Sequence, residues 1–95
     1  MIYSPHRAEL HNIVHWLRGD DEEGWPGQIE LLAATMFDLK ELARPMIRET
    51  VVPPEAMAIR VALHQLTRML SAMQEHARGL ALECGQAALA LLPDE

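Results

Sequence analysis

The sequence predicts an all-α fold, a small helical bundle in which two shorter helices pack along one long C-terminal amphipathic helix. The apolar residues are mainly Leu, Ala, Met and Ile, with few aromatic side chains, and this composition favours helices over strands. Apolar residues also recur at steps of three and four along most of the chain, which is the spacing of one helix face. Because the chain has 95 residues, we expect a single domain over residues 1–95.

The first helix is predicted over residues 5–18. Ser4 is a suitable N-cap, and Pro5 falls at the first helical position, where its missing N–H costs nothing. The segment that follows, residues 19–27, is rich in glycine and contains the four consecutive acids Asp20–Glu23. This composition predicts a solvated acidic loop.

The second helix is predicted over residues 28–49, with an interruption near Pro45. A proline inside a helix removes the hydrogen bond to the carbonyl four residues earlier, which belongs here to Glu41. Apolar side chains cover roughly two-thirds of the circumference of this helix, so we expect it to lie between two packing partners.

The C-terminal segment is predicted to be one helix over residues 54–92, bounded by Pro54 and Pro93, with Gly79 and Gly85 as points where it could bend. At roughly 1.5 Å per residue such a helix is about 57 Å long, so neither shorter helix can cover it. Every a and d position of a heptad register is apolar, as expected of a long amphipathic helix. These positions are Ala56, Ile59, Leu63, Leu66, Leu70, Met73, Ala77, Leu80, Cys84, Ala87 and Leu91.

Apolar side chains outside this heptad seam are the best candidates for an interface. Leu82, Leu89 and Leu92 make the end of the predicted helix apolar all round, and the bundle offers too little chain to bury them. Met57 and Val61 are the candidates at its other end. We expect these residues to bind a second copy of the chain, as a homodimer, and an unidentified protein. Whether the seam itself is intrachain or intersubunit stays open.

Candidate metal ligands are few. His11 and His15 are four residues apart, a spacing that can place two imidazoles on one metal ion. Two ligands do not make a site, so we predict surface histidines, with no metal and no cofactor. The acids of residues 20–23 are consecutive and lack the alternating oxygens of a calcium loop. Cys84 is expected in the core, and Trp25 is interpreted as a lid over the core.

Charge and motifs favour a non-enzymatic protein. The net charge is −6, and no cationic cluster suited to a nucleic-acid backbone is present. No apolar run is long enough for a membrane span, and the N-terminus lacks the pattern of a signal peptide. With a single cysteine, a reducing cytoplasmic location is expected. Neither a nucleophile–base pair nor a glycine-rich phosphate loop is recognisable.

The favoured hypothesis is a small intracellular regulator that acts as a helical dimer. It would be an inhibitor, anti-activator or adaptor that masks a surface of a larger protein, for example a transcription factor or an ATPase. The alternative hypothesis is a metal- or ligand-responsive sensor that uses His11, His15 and the acidic loop.

Overall fold

The computed structural model describes residues 4–47 and 53–92, and within these ranges it contains four α-helices and no strand. The all-α bundle predicted from the sequence is confirmed. The count of three helices is wrong, because the C-terminal segment forms two. The helices are α1 (Ser4–Leu17), α2 (Trp25–Ile47), α3 (Pro54–Gln74) and α4 (Arg78–Leu91).

The predicted helix over residues 54–92 is broken by a tight turn after α3. His76 has a φ of 56°, the left-handed conformation in which many helices end. The amide of His76 donates to the carbonyl of Met73 at 3.0 Å, and the amide of Ala77 donates to that of Ala72 at 2.8 Å. These two bonds form a Schellman motif, which satisfies carbonyls at the end of α3. The break therefore lies before Gly79.

The break changes which side chains of this segment face the core. Most of the predicted seam is buried in α3. In α4 the buried positions move along by one residue, and the predicted seam residue Leu80 is 45% exposed. Cys84 is buried, as predicted. The buried residues of α4 are Ala81, Cys84, Gly85 and Ala88.

The start of α2 lies three residues before the predicted position. Trp25 and Pro26 occupy its first turn, where a proline forfeits no helical hydrogen bond. The amide of Gln28 donates to the carbonyl of Gly24 at 3.0 Å and closes this turn. The predicted loop over residues 19–27 is correspondingly shorter.

The predicted interruption of α2 near Pro45 is absent. The helix continues through Pro45 to Ile47, while residues 48 and 49 of the predicted helix lie outside the described residues. Because Pro45 lies in the last described turn, helical geometry there forfeits only the bond to the carbonyl of Glu41. The ion pair of Arg44 with Glu41, at 3.0 Å, spans the same turn.

The four helices pack as an antiparallel bundle. Each helix contacts its neighbours in the chain, and α4 closes the ring by packing against α1. The start of α2 meets the end of α3, because Trp25 stacks on His76 with 4.5 Å between the ring centroids. α1 and α4 have 14 residues each, whereas α2 has 23 and α3 has 21. The shorter pair therefore covers only part of the longer pair.

Gly85 allows the close approach of α4 to its neighbours. A Cβ atom at this position would lie 2.9 Å from Cγ2 of Val14 in α1 and 3.0 Å from Cε of Met69 in α3. Both distances are shorter than a normal carbon–carbon contact. A Cβ atom at Gly79, in the same helix, would meet nothing within 4 Å.

We predict that Gly85→Leu lowers the free energy of unfolding by about 2 kcal/mol or more, because the added side chain overpacks the contact with Val14 and Met69. Gly79→Leu is the matched control, since it makes the same change on open surface. It should leave stability unchanged or raise it by up to about 1 kcal/mol through helix propensity. Urea unfolding followed by circular dichroism measures both. Equal effects of the two substitutions would contradict this packing.

Candidate functional site

An arginine at the start of α4 packs over the rings of two tryptophans and holds the end of α1. The guanidinium carbon of Arg78 lies 4.7 Å from the centroid of the Trp16 ring and 4.9 Å from that of Trp25. Its Nη1 donates to the carbonyl oxygens of Trp16, at 3.1 Å, and Leu17, at 3.2 Å. Its Nη2 donates to the carbonyl oxygen of Asp21. Arg78 therefore joins α4 to the end of α1 and to the loop that follows.

The aromatic rings of this cluster are in contact with one another. The rings of Trp16 and Trp25 meet edge to face, with centroids 4.8 Å apart. The imidazole of His76 lies nearly parallel to the Trp25 ring, at an interplanar angle of 6°. Trp25 is only 2% exposed. The interpretation of Trp25 as a lid over the core is confirmed.

The acidic loop is closed onto this cluster. The amide of Glu23 donates to Oδ1 of Asp21 at 2.8 Å, and the indole Nε1 of Trp16 donates to Oδ2 of Asp21 at 3.2 Å. The indole Nε1 of Trp25 donates to a carboxylate oxygen of Glu22 at 3.2 Å. The Glu23 amide, with a smaller contribution from Trp16, holds the pKa of Asp21 below its usual value. These carboxylates thus fix the loop while remaining exposed to solvent.

A second arginine makes the reciprocal connection at the opposite end of the same helix pair. Nη1 of Arg7, in the first turn of α1, donates to the carbonyl oxygens of Leu89 and Leu92 at 3.1 Å each. These carbonyls end α4 and have no partner within their own helix. Each of the two helices therefore carries, near its start, an arginine that caps the end of the other helix.

The predicted interface residues fall into three groups. Leu92 is buried in the core at 4% exposure, so its prediction as a surface contact is wrong. Leu82 and Leu89 are half-buried and pack against the core, because the turn after α3 changes the orientation of α4. Met57 and Val61 are 46% and 45% exposed and remain available on the surface.

Three further apolar side chains are exposed and were absent from the predicted interface. Phe37 is 61% exposed, Leu80 is 45% exposed and Leu31 is 42% exposed. Phe37 and Leu31 belong to the wide apolar face of α2, so the width of that face was the signal for them. Leu80 could not have been found, because the heptad pattern placed it in the core.

His11 and His15 both line a groove of about 480 Å³ between α1 and α4, together with Arg18 and Gln86. A cavity of this size lies within the range of small-molecule sites. Within residues 4–47 and 53–92, no group of three or more His, Cys, Asp or Glu side chains is placed to hold a metal ion. Asp21 of the acidic loop binds Trp16 and the Glu23 amide, as described above.

Comparisons with protein-family models, with curated proteins and with solved structures find no match to this chain. None of the helices in the described ranges combines the length and the apolar character needed to cross a bilayer.

We predict that Asp21→Ala lowers stability at neutral pH and reduces the loss of stability on acidification. A carboxylate whose pKa is depressed by folding stabilises the fold above its unfolded pKa, near 3.8, and this contribution disappears as the pH falls through the lower folded value. Urea unfolding at pH 6, 4 and 3 measures the effect. Asp20→Ala removes a neighbouring exposed carboxylate and is the control. If both variants track the wild type, Asp21 does not fix the loop.

Proposed function

We propose that this protein is a small protein-binding regulator that self-associates and binds its target through the exposed apolar face of α3. The observation that carries the proposal is the pair Met57 and Val61. These side chains lie one turn apart and are each nearly half exposed. With Arg60 and His64 they line an open groove on α3.

The helix lengths explain why this part of α3 is uncovered. α3 is seven residues longer than α4, 21 against 14, and the tight turn at His76 makes the two helices antiparallel. The first turns of α3 therefore extend past Leu91, where α4 ends. Exposed apolar side chains on such an extension are typical of an interaction surface.

The chemistry of this groove suits an amphipathic partner. Met57 is flexible and Val61 is stiff, so together they offer an adaptable apolar contact beside a fixed one. Arg60 and His64 border the contact and provide donors for acidic side chains. The chain itself carries 14 acidic residues against eight Lys and Arg, so a second copy offers such carboxylates.

The size of an interface sets a further requirement. A standard interface buries about 800 Å² on each partner, which is about one seventh of the 5641 Å² surface of this chain. Two side chains do not supply this area, so the contact must extend over neighbouring exposed residues of α3. Apolar anchors at the centre of an interface contribute most of its binding energy, and Met57 and Val61 are assigned that position.

We predict that Met57→Glu combined with Val61→Glu weakens self-association at least about a hundredfold, because each substitution places an unpaired charge in an apolar contact. The helical content should not change, since both side chains are exposed. Sedimentation velocity over a concentration series measures the association. The wild type should approach twice the monomer mass of 10.7 kDa.

Leu80→Glu is the matched control, because Leu80 is as exposed as Val61 but lies at the start of α4. This variant should self-associate like the wild type. A wild type that stays monomeric at every concentration would refute self-association. A dimer that Leu80→Glu disrupts and the α3 variant does not would move the interface to the other end of the bundle.

A further inference from the structure

We propose that the groove between α1 and α4 binds a small multivalent oxyanion, an organic phosphate or a polycarboxylate, through His11, His15 and Arg18. This site goes beyond the protein-binding function proposed for α3 and involves none of the same residues. Three features support this site: the residues that line it, the position of the acidic side chains away from it, and the contacts that hold α1 and α4 together.

The wall formed by α1 consists mostly of hydrogen-bond donors, with one buried valine among them. His11, His15 and Arg18 follow one another at steps of four and three residues, so they lie along one face of the helix. All three are exposed and line the groove. Gln86 adds an amide from α4, and Leu89 adds an apolar contact. Among the residues that the structure describes, no carboxylate lines this groove.

The acidic residues of both helices face elsewhere. Glu9 is the acid of α1, and it lines a different groove, between α1 and α2. Glu83 is the acid of α4, and it lines the groove between α3 and α4. In the adjoining loop, Asp21 and Glu22 accept hydrogen bonds from the two tryptophans. The groove therefore presents the guanidinium of Arg18 and two imidazole donors, with none of these four acids lining it, on a chain of net charge −6.

The same composition disfavours a metal ion. His11 and His15 have the spacing of a metal-binding pair, but the side chain that continues their row is Arg18, which is always protonated. A guanidinium repels a cation and donates to oxyanions in a planar fork. Within the described residues no side chain forms an ion pair with Arg18. Its donors are available to a ligand.

The walls of the groove are held in a fixed register. Arg7 caps the end of α4, and Arg78 caps the end of α1. Between these two connections Gly85 lies against Val14, so the helices meet closely at the base of the groove. Donors on a preorganised wall lose little freedom when a ligand binds, and this favours binding.

The test is a titration of the full chain with pyrophosphate and with citrate, each at constant ionic strength, followed by amide and side-chain NMR signals. We expect saturable shifts confined to His11, His15, Arg18 and Gln86. We expect a dissociation constant of about 1 mM or tighter, the affinity that about three charge-assisted hydrogen bonds supply. Saturation by pyrophosphate alone identifies a phosphate site, and saturation by citrate alone identifies a carboxylate site. Chloride at the same ionic strength should cause no saturable shift.

Substitutions distinguish a specific binding site from nonspecific attraction of anions to exposed basic side chains. Arg18→Gln should weaken binding about tenfold, and His11→Gln combined with His15→Gln should do the same. Arg60→Gln combined with His64→Gln removes a similar pair from α3 and should leave anion binding unchanged. These side chains are all exposed, so the variants should remain folded, which circular dichroism checks.

Absence of saturation by both anions would overturn the proposal. Shifts spread over every arginine, or equal losses in the α1 and α3 variants, would also overturn it. Met57→Glu combined with Val61→Glu tests the interface independently, because loss of self-association in that variant with intact anion binding separates the two surfaces.

Discussion

The contact between Arg78 and the end of α1 is the constraint on which the remaining structure depends. One guanidinium donates to the carbonyls of Trp16, Leu17 and Asp21 while it lies over the rings of both tryptophans. It therefore fixes the end of α1, the acidic loop and the start of α4 at once. Arginine suits this role because its planar fork of donors can bond several carbonyls while its face packs on aromatic rings. Trp25 then closes the core beneath it.

The two candidate surfaces follow from this constraint. α1 and α4 have equal lengths, and Arg7 and Arg78 each cap the end of the other helix. These caps hold the two helices as an antiparallel pair. The groove lined by His11, His15 and Arg18 lies between them. Both are shorter than α3, so the first turns of α3 extend beyond the end of α4 and expose Met57 and Val61. The helix lengths and the two arginine caps therefore account for both surfaces, the groove between α1 and α4 and the uncovered start of α3.

Much of the fold could be predicted from local patterns. Apolar spacing located α1 almost to the residue and identified most of the buried face of α3. The turn at His76 could not be predicted from the sequence. A glycine often marks a left-handed helix end, but here the residue is a histidine, and the heptad pattern continues through the break. That single turn moved Leu80 to the surface and Leu92 into the core. The sequence shows that His11 and His15 share one helix face, but only tertiary packing brings them close to Gln86 of α4.

The free energy of unfolding of the Arg78→Lys variant tests most directly whether the contact of Arg78 with the end of α1 holds the bundle together. Lysine keeps the charge but lacks the fork of donors and the planar face that span the three carbonyls and the two rings. We predict that the free energy of unfolding of Arg78→Lys in urea is about 2 kcal/mol lower than that of the wild type. The reference is Arg68→Lys, because Arg68 is exposed and, within the described residues, its guanidinium bonds the nearby Gln65 alone. Arg68→Lys should leave the free energy of unfolding within about 0.5 kcal/mol of the wild type. An Arg78→Lys protein as stable as Arg68→Lys would contradict the claim that this contact holds the bundle together.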